Sequence, residues 1–325
     1  SDVYKRQMYD VAALGELLID FIQNGKSEQG NLLFEANPGG APCNVLAMLK
    51  NLGYKTAFIG KVGEDSFGRL LAHTLEKAGI ETKGLLYDQE IPTTLALVHN
   101  TEDGDREFSF YRNPGADVML RENEIQYDLI KDCRIFHFGS LSMTSEPAKT
   151  ATRAALEFAK KENKMISFDP NLRMPLWKSE EQAKAAIWYG IEQCDLLKIA
   201  DNEIQWLTGE SDFDKGAEQI KARSKVRLLN VTLGKEGSIA YYKDKKICAE
   251  PFVNERTIDT TGAGDTFCAC ILGSVLEYGL EDLSDNILYG MLRRANAAAS
   301  LVTMRKGAIR SMPREEEIKD LLYKG

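Results

Sequence analysis

The segment Asp259-Thr260-Thr261-Gly262-Ala263-Gly264-Asp265-Thr266-Phe267 runs small side chains directly into an apolar stretch that reads as a helix. Glycines let backbone N–H groups turn inward, and the start of a helix adds roughly half a positive charge, so this segment can hold a phosphoryl oxygen. Asp265 follows at once. A carboxylate would repel a phosphate that was merely bound there. It fits a site where it accepts the proton of a hydroxyl attacking phosphorus. An Asp also suits the first turn of any helix, and short glycine motifs occur without function, so the segment alone leaves both readings open.

A second glycine cluster, Gly39-Gly40-Ala41-Pro42-Cys43-Asn44, opens the first helix. Paired glycines allow close backbone approach to a ligand, and Asn44 offers donors and acceptors to hydroxyls. An ordinary loop with an Asn cap explains the same residues. Asp20, read as the end of the first strand, could grip a sugar hydroxyl or simply be solvated. Motifs of other chemistries are missing: no G-x-x-x-x-G-K-[ST], no G-x-G-x-x-G, no H-E-x-x-H and no G-x-S-x-G. The six cysteines never form C-x-x-C, and the three histidines do not cluster with them. A zinc site or disulfide framework is therefore not expected, and reduced thiols point to the cytoplasm.

The elements that must position these residues alternate. Residues 11–14 read as an apolar strand that 17–22 resume, 44–52 as a helix, 57–60 as a strand and 66–77 as a helix stopped by Gly79. The rhythm returns with strands at 135–138, 165–169 and 196–199 and helices at 147–161 and 180–193. Three helices close the chain at 264–278, 285–302 and 314–322. Alternation of this kind signals a mostly parallel sheet covered by helices. Residues 94–100 and 106–111 instead alternate apolar and polar side chains around Glu102-Asp103-Gly104-Asp105, a hairpin signal with which 30–36 could pair. Such a flap is well placed over a site at the strands' carboxyl ends, and a decorative hairpin has the same pattern. A second hairpin is read at 238–242 and 246–249.

The chain of 325 residues is long enough for a sizeable core. Its 41 basic and 49 acidic residues give a net charge of −8. That balance, without a basic run, argues against nucleic acid or an anionic membrane as partner. No apolar run reaches the roughly 18 residues of a membrane span. No apolar signal-peptide segment opens the chain, and residues 1–7 read as an extension before Met8.

Together these segments resemble the ribokinase-like (pfkB) carbohydrate kinases. The family's N-terminal signature is similar to Gly39–Asn44 followed by Gly53 and Gly63, and its C-terminal signature to residues 259–267. Phe58-Ile59-Gly60-Lys61-Val62-Gly63-Glu64-Asp65, Phe110-Tyr111-Arg112-Asn113-Pro114 and Asp169-Pro170-Asn171-Leu172-Arg173-Met174-Pro175-Leu176-Trp177 are similar to segments of its fructose-phosphorylating branch. The resemblance covers nearly the whole chain from Met8, in order and with the expected spacing.

The resemblance implies an α/β fold, a ribokinase-like three-layer sandwich with a mostly parallel central sheet and a small β-lid. It implies one kinase domain over residues 8–325, with the lid drawn from about 16–38 and 92–113. It further implies ATP-dependent phosphorylation of a sugar hydroxyl, with Mg²⁺ and the monovalent cation K⁺ in attendance. D-fructose, at its 6-hydroxyl, is the expected acceptor, and 2-keto-3-deoxygluconate or another sugar of the ribokinase family the alternative. A homodimer through the lid is also implied.

Carried over by resemblance, Asp265 is the base, and Gly262, Ala263 and Gly264 form the anion hole. Asp20, Gly39, Gly40 and Asn44 bind sugar, Arg112 on the lid contacts substrate, and Arg173 contacts substrate or phosphate. Thr232, Gly234 and Gly237 resemble the nucleotide loop, with Asn296 near the adenine. Glu203 reaches Mg²⁺ through water. Asp259, Thr261, Val302, Arg305, Gly307 and Ser311 match positions that bind the monovalent cation, several of them through backbone carbonyls. Three residues depart from the family pattern: Ala200 replaces an Asn, Leu46 stands where a small residue is preferred, and Cys270 where Ala or Gly is. A catalytically silent sugar-binding relative is the reading of a different class, and the retained Asp265 argues against it.

Overall fold

Thirteen strands are found in the computed structural model, which describes residues 9–100 and 106–324. They are β1 (Tyr9–Leu14), β2 (Leu18–Lys26), β3 (Leu32–Gly39), β4 (Thr56–Gly63), β5 (Glu81–Asp88), β6 (Leu95–Asn100) and β7 (Arg106–Tyr111). The later ones are β8 (Cys133–Gly139), β9 (Met165–Asp169), β10 (Leu196–Ala200), β11 (Leu228–Thr232), β12 (Ser238–Tyr242) and β13 (Lys245–Ala249). The helices are α1 (Ala41–Asn51), α2 (Ser66–Lys77), α3 (Tyr127–Lys131), α4 (Ala148–Lys161) and α5 (Glu180–Gln193). They continue as α6 (Asp201–Thr208), α7 (Phe213–Arg223), α8 (Ala263–Tyr278), α9 (Asp285–Val302) and α10 (Glu315–Lys324).

Nine strands form the central sheet in the order β13-β12-β11-β10-β9-β8-β1-β4-β5. All pairings from β11 to β5 are parallel, and β12 and β13 close one edge antiparallel. The strand β1 shows why the sheet lies inside the molecule. Val11 and Ala13 join a core with α1, α2, α8, α9 and α10, whereas Ala12 and Leu14 join a second core with α3 to α7. Successive side chains point to opposite faces, so a strand apolar at every position must be covered on both. The result is a three-layer ribokinase-like sandwich. Among the described residues no helix is long and apolar enough to cross a membrane.

A separate four-stranded sheet, β3-β2-β6-β7, is antiparallel except for the β2–β6 pairing. This corrects one expectation. Residues 17–22 do not resume the first strand, because the chain leaves the central sheet at Gly15, whose N–H makes a last bond to Ile59 O at 3.2 Å. Leu17 and Ile19 are apolar because the corner between the sheets buries them. Asp65, the N-cap of α2, pins the entry to β6: its carboxylate takes Gly68 N at 2.7 Å and Thr93 N at 2.8 Å. The turn read at residues 102–105, and residues 1–8, lie outside the described residues.

Candidate active site

The polar ends of β9 and β10, the starts of α1 and α8, and the second sheet enclose a cleft of about 300 Å³. Asp20, Gly40, Asn44, Arg173, Gly262, Gly264 and Asp265 line it, together with Glu16, Asn171 and Lys198. Leu18, Ile22, Val98 and Phe110 give the second sheet's wall an apolar character. The cleft therefore offers hydroxyl-binding groups on one side and an anion-binding helix start on the other.

The start of α8 is built by Gly262, which caps the helix with φ 79°, a left-handed conformation that L side chains rarely adopt. Ala263 N–H donates to Thr260 O at 3.2 Å, and Ala263 does not line the cleft. Of the three residues expected to form an anion hole, Gly262 and Gly264 face the cleft and Ala263 does not. Asp265 follows in the first turn and is only 8 % exposed. Asn44 Nδ2 donates to its Oδ2 at 2.7 Å. Burial and the nearby Asp169 push the Asp265 carboxyl up to about 6, against the pull of Asn44, Lys198 and Arg173.

Lys198, from β10, is buried against Asp169 at the end of β9, with Nζ 3.1 Å from Oδ2. Burial works against its charge, but Asp169, Glu203 and Asp265 outweigh burial and hold the ammonium charged. A methyl group placed on Gly264 would lie 2.8 Å from Lys198 Nζ, so the ammonium sits directly against the first turn of α8. A fixed positive charge there suits a transferring phosphoryl group. Neither Lys198 nor Asp169 was singled out from sequence; the signal was a lone Lys inside the apolar strand 196–199, opposite the Asp that ends 165–169.

Asp20 lies within β2 rather than at the end of the first strand, pairing with Asn37 of β3. Burial pushes its carboxyl up to about 7; Arg173 opposes this, and Asp259 and Asp265 add to it. Gly39 sits behind it, leaving no room for a side chain against the Asp20 carboxylate. Arg173 follows Asn171, itself at φ 45°, and donates from Nη1 to Leu172 O at 3.0 Å. Arg112 is placed differently from expectation. Its guanidinium is buried against Asp117 with Nε at 2.9 Å, and it also bonds Thr144 Oγ1 and Leu141 O at 3.0 Å each. It does not line the cleft.

Thr232, Gly234 and Gly237 stand at the β11–β12 connection, outside the cleft, and Asn296 of α9 donates to Ala249 O and Glu250 O at 3.2 and 2.9 Å. Glu203 accepts Leu172 N at 2.6 Å and Ala200 N at 2.9 Å, one on each oxygen. The bond from Ala200 uses its backbone, so the missing Asn side chain leaves this contact intact. Leu46 and Cys270 are both fully buried in the core beneath α1 and α8.

Among the described residues no group of three His, Cys, Asp or Glu could hold a metal directly. Glu203 is buried, has both carboxylate oxygens engaged by backbone N–H groups and does not line the cleft. Asp259 accepts Thr261 N and Oγ1 at 2.9 and 2.7 Å and Gly307 N at 3.2 Å, which ties the segment before α8 to the loop after α9. Val302 O accepts Arg305 N at 3.1 Å, and Ser311 O accepts Arg305 Nη1 at 3.4 Å. Both carbonyls are thus taken by Arg305 itself.

The family model described as pfkB family carbohydrate kinase matches residues 8–315. The chain belongs to the pfkB family of carbohydrate kinases. It is 39 % identical over 314 residues to probable fructokinase-4 of Arabidopsis thaliana, covering 96 % of each chain. Among solved structures it is similar to Xylella fastidiosa fructokinase with bound ATP, with a TM-score of 0.88 and 29 % identity over 97 % of this chain and 98 % of that one. Vibrio cholerae O395 fructokinase in fructose, ADP and calcium ion bound form gives a TM-score of 0.87 and 28 % identity, covering 97 % and 99 %.

Proposed function

We propose that this protein is an ATP-dependent fructokinase that phosphorylates the 6-hydroxyl of D-fructose. The observation that carries the reading is the buried Asp265 carboxylate, aimed by Asn44 at the mouth of α8 with Lys198 and Arg173 beside it. The similarity to relatives named fructokinase supports the choice of sugar.

In the proposed reaction the hydroxyl oxygen forms a bond to the γ-phosphorus as the bond to the bridging oxygen breaks. Asp265 receives the hydroxyl proton late in that step, and ADP leaves. Asp20, Gly40 and Asn44 hold the sugar. Lys198 and the Gly262 and Gly264 amides offset charge on the moving group. Arg173 reaches both. Thr232, Gly234, Gly237 and Asn296 flank the nucleotide. Magnesium would enter with the phosphates, with Glu203 reaching it through water, and would supply neutralisation of their charge. The second sheet excludes water as a lid, limiting loss of the phosphoryl group to hydrolysis.

A 2-keto-3-deoxygluconate acceptor would bring a carboxylate, and Arg112, the lid arginine that would meet it, is engaged by Asp117. Exposed Leu32 and Leu33 on the lid's edge strand favour a homodimer through that sheet. The free cysteines favour the reducing cytoplasm. The test is ADP release with Mg·ATP and D-fructose, 2-keto-3-deoxygluconate, ribose or adenosine, with Asp265→Asn alongside. Strongest turnover on fructose, lost in the variant, supports the proposal; preference for another acceptor overturns the choice of sugar.

A further inference from the structure

Glu16 stands at the corner where the chain passes from the central sheet into the lid, and it lines the cleft beside Asp20, Gly40 and Asn44. It is 3 % exposed. Its Oε1 accepts the N–H of Ala41, the first residue of α1, at 3.0 Å. Its Oε2 is buried and has no hydrogen-bond partner. One oxygen is enough to hold the helix start, so that contact leaves the second unexplained. A buried carboxylate oxygen left unpaired is costly, and native structures keep such groups where something else completes them. Burial, with Asp117 adding to it, raises the Glu16 carboxyl to about 7 even though its own backbone N–H, the Arg112 guanidinium and the Ala41 N–H oppose the rise, so a donor at Oε2 would offset part of the cost of burial.

Resting on the sugar-kinase reading above, we propose that Glu16 Oε2 accepts a hydrogen bond from a hydroxyl of the bound sugar and that Glu16 selects acceptors carrying that hydroxyl. The hydroxyl is not the one that reacts, because that one faces Asp265. A buried acceptor of this kind discriminates strongly against an analogue lacking the group, since the analogue leaves the oxygen orphaned again.

Glu16→Gln is the decisive variant. Its amide oxygen can keep the Ala41 contact, while the free position changes from acceptor to donor. Activity is measured on D-fructose, on its 1-deoxy, 3-deoxy and 4-deoxy analogues, and on 2,5-anhydromannitol, which lacks the anomeric hydroxyl. The expected result is a rise in KM for fructose of about 10- to 100-fold with kcat changed much less, the scale of one charged hydrogen bond. For one of these analogues the penalty vanishes, so that wild type and variant use it equally. Equal penalties on fructose and on every analogue overturn the proposal. If the Gln variant does not fold, Glu16→Asp, which withdraws the carboxylate by one carbon, is read by the same ratios. Wild-type turnover of fructose separately reports the sugar-kinase reading. If another polyol is the acceptor, the ratios are taken on its deoxy series.

Discussion

Asn44 Nδ2 donates to Asp265 Oδ2 across 2.7 Å, joining the first helix of the chain to the eighth across 221 positions of sequence. The two glycine-containing segments thus meet at one carboxylate. Asn44 Oδ1 is buried and lacks a protein partner, and the proposed function gives it a sugar hydroxyl. Asn44→Leu should therefore lower kcat/KM for fructose by about 10²-fold, the scale of a reacting group misplaced by an ångström. Asn44→Asp should do more, because a second carboxylate against Asp265 raises its pKa. Steady-state kinetics across pH separate the two, and an unchanged Asn44→Leu enzyme would remove Asn44 from the site.

The raised Asp265 pKa predicts opposed effects on activity and stability. The base must be ionised, so kcat/KM of the free enzyme should fall as pH drops through about 6. Asp265→Asn should reduce kcat by about 10²- to 10⁴-fold. For stability the sign reverses. The folded carboxyl holds its proton more tightly than the ordinary 3.8, so the fold loses stability as pH rises from about 4 through about 6. Asp265→Asn should accordingly be more stable than wild type at pH 8, by about 1–3 kcal/mol, and no more stable below pH 4. Urea titrations at the two pH values check this, and a destabilised variant at pH 8 would show that the charge is well accommodated.

Much of this arrangement was legible in the sequence, and what escaped has physical reasons. The strands at 165–169 and the helices at 66–77, 180–193 and 285–302 carry clear periodicity and caps, and the structure has those bounds. β5 escaped because its mixed Glu-Thr-Lys-Gly opening is an edge-strand pattern, α6 because it is short, and α7 because its buried face is only Gly216, Ala217 and Ile220. The corner at Gly15 escaped because apolar residues on both sides of it look like one strand. Asp265 and Asn44 could be read from local motifs. Lys198, Asp169 and Glu16 could not, since each owes its environment to partners brought in by the parallel sheet. Arg112 shows the converse: its local sequence is similar to a substrate-contacting arginine, but Asp117, five residues on, holds its charge.

Gly264→Ala isolates the anion hole from the fold. Its methyl group would come 2.8 Å from Lys198 Nζ and 3.4 Å from Cε, displacing an ammonium already fixed by Asp169. Helix propensity favours the substitution by up to about 1 kcal/mol. The thermal midpoint should therefore change little while kcat falls by about 10²- to 10³-fold, as when a preorganised donor is lost. Retained kcat would mean that Lys198 can move without consequence and does not stabilise the transferring group.

The Arg112–Asp117 pair separates a structural arginine from a substrate-binding one. The arginine side chain is 4 % exposed and the aspartate's 1 %, with Nη2 2.5 Å from Oδ2. Thr94 Oγ1 donates to the other aspartate oxygen at 2.5 Å, so the cluster ties β6 and the end of β7 to the segment before α3. Removing one member strands a buried charge, and Arg112→Ala should cost about 3–5 kcal/mol in denaturant titration. Replacing both residues by Leu should restore much of that, since a buried pair adds little over an apolar filling. A substrate-binding arginine behaves otherwise. Arg112→Ala would then raise KM for the acceptor with stability nearly unchanged, and the double replacement would recover nothing.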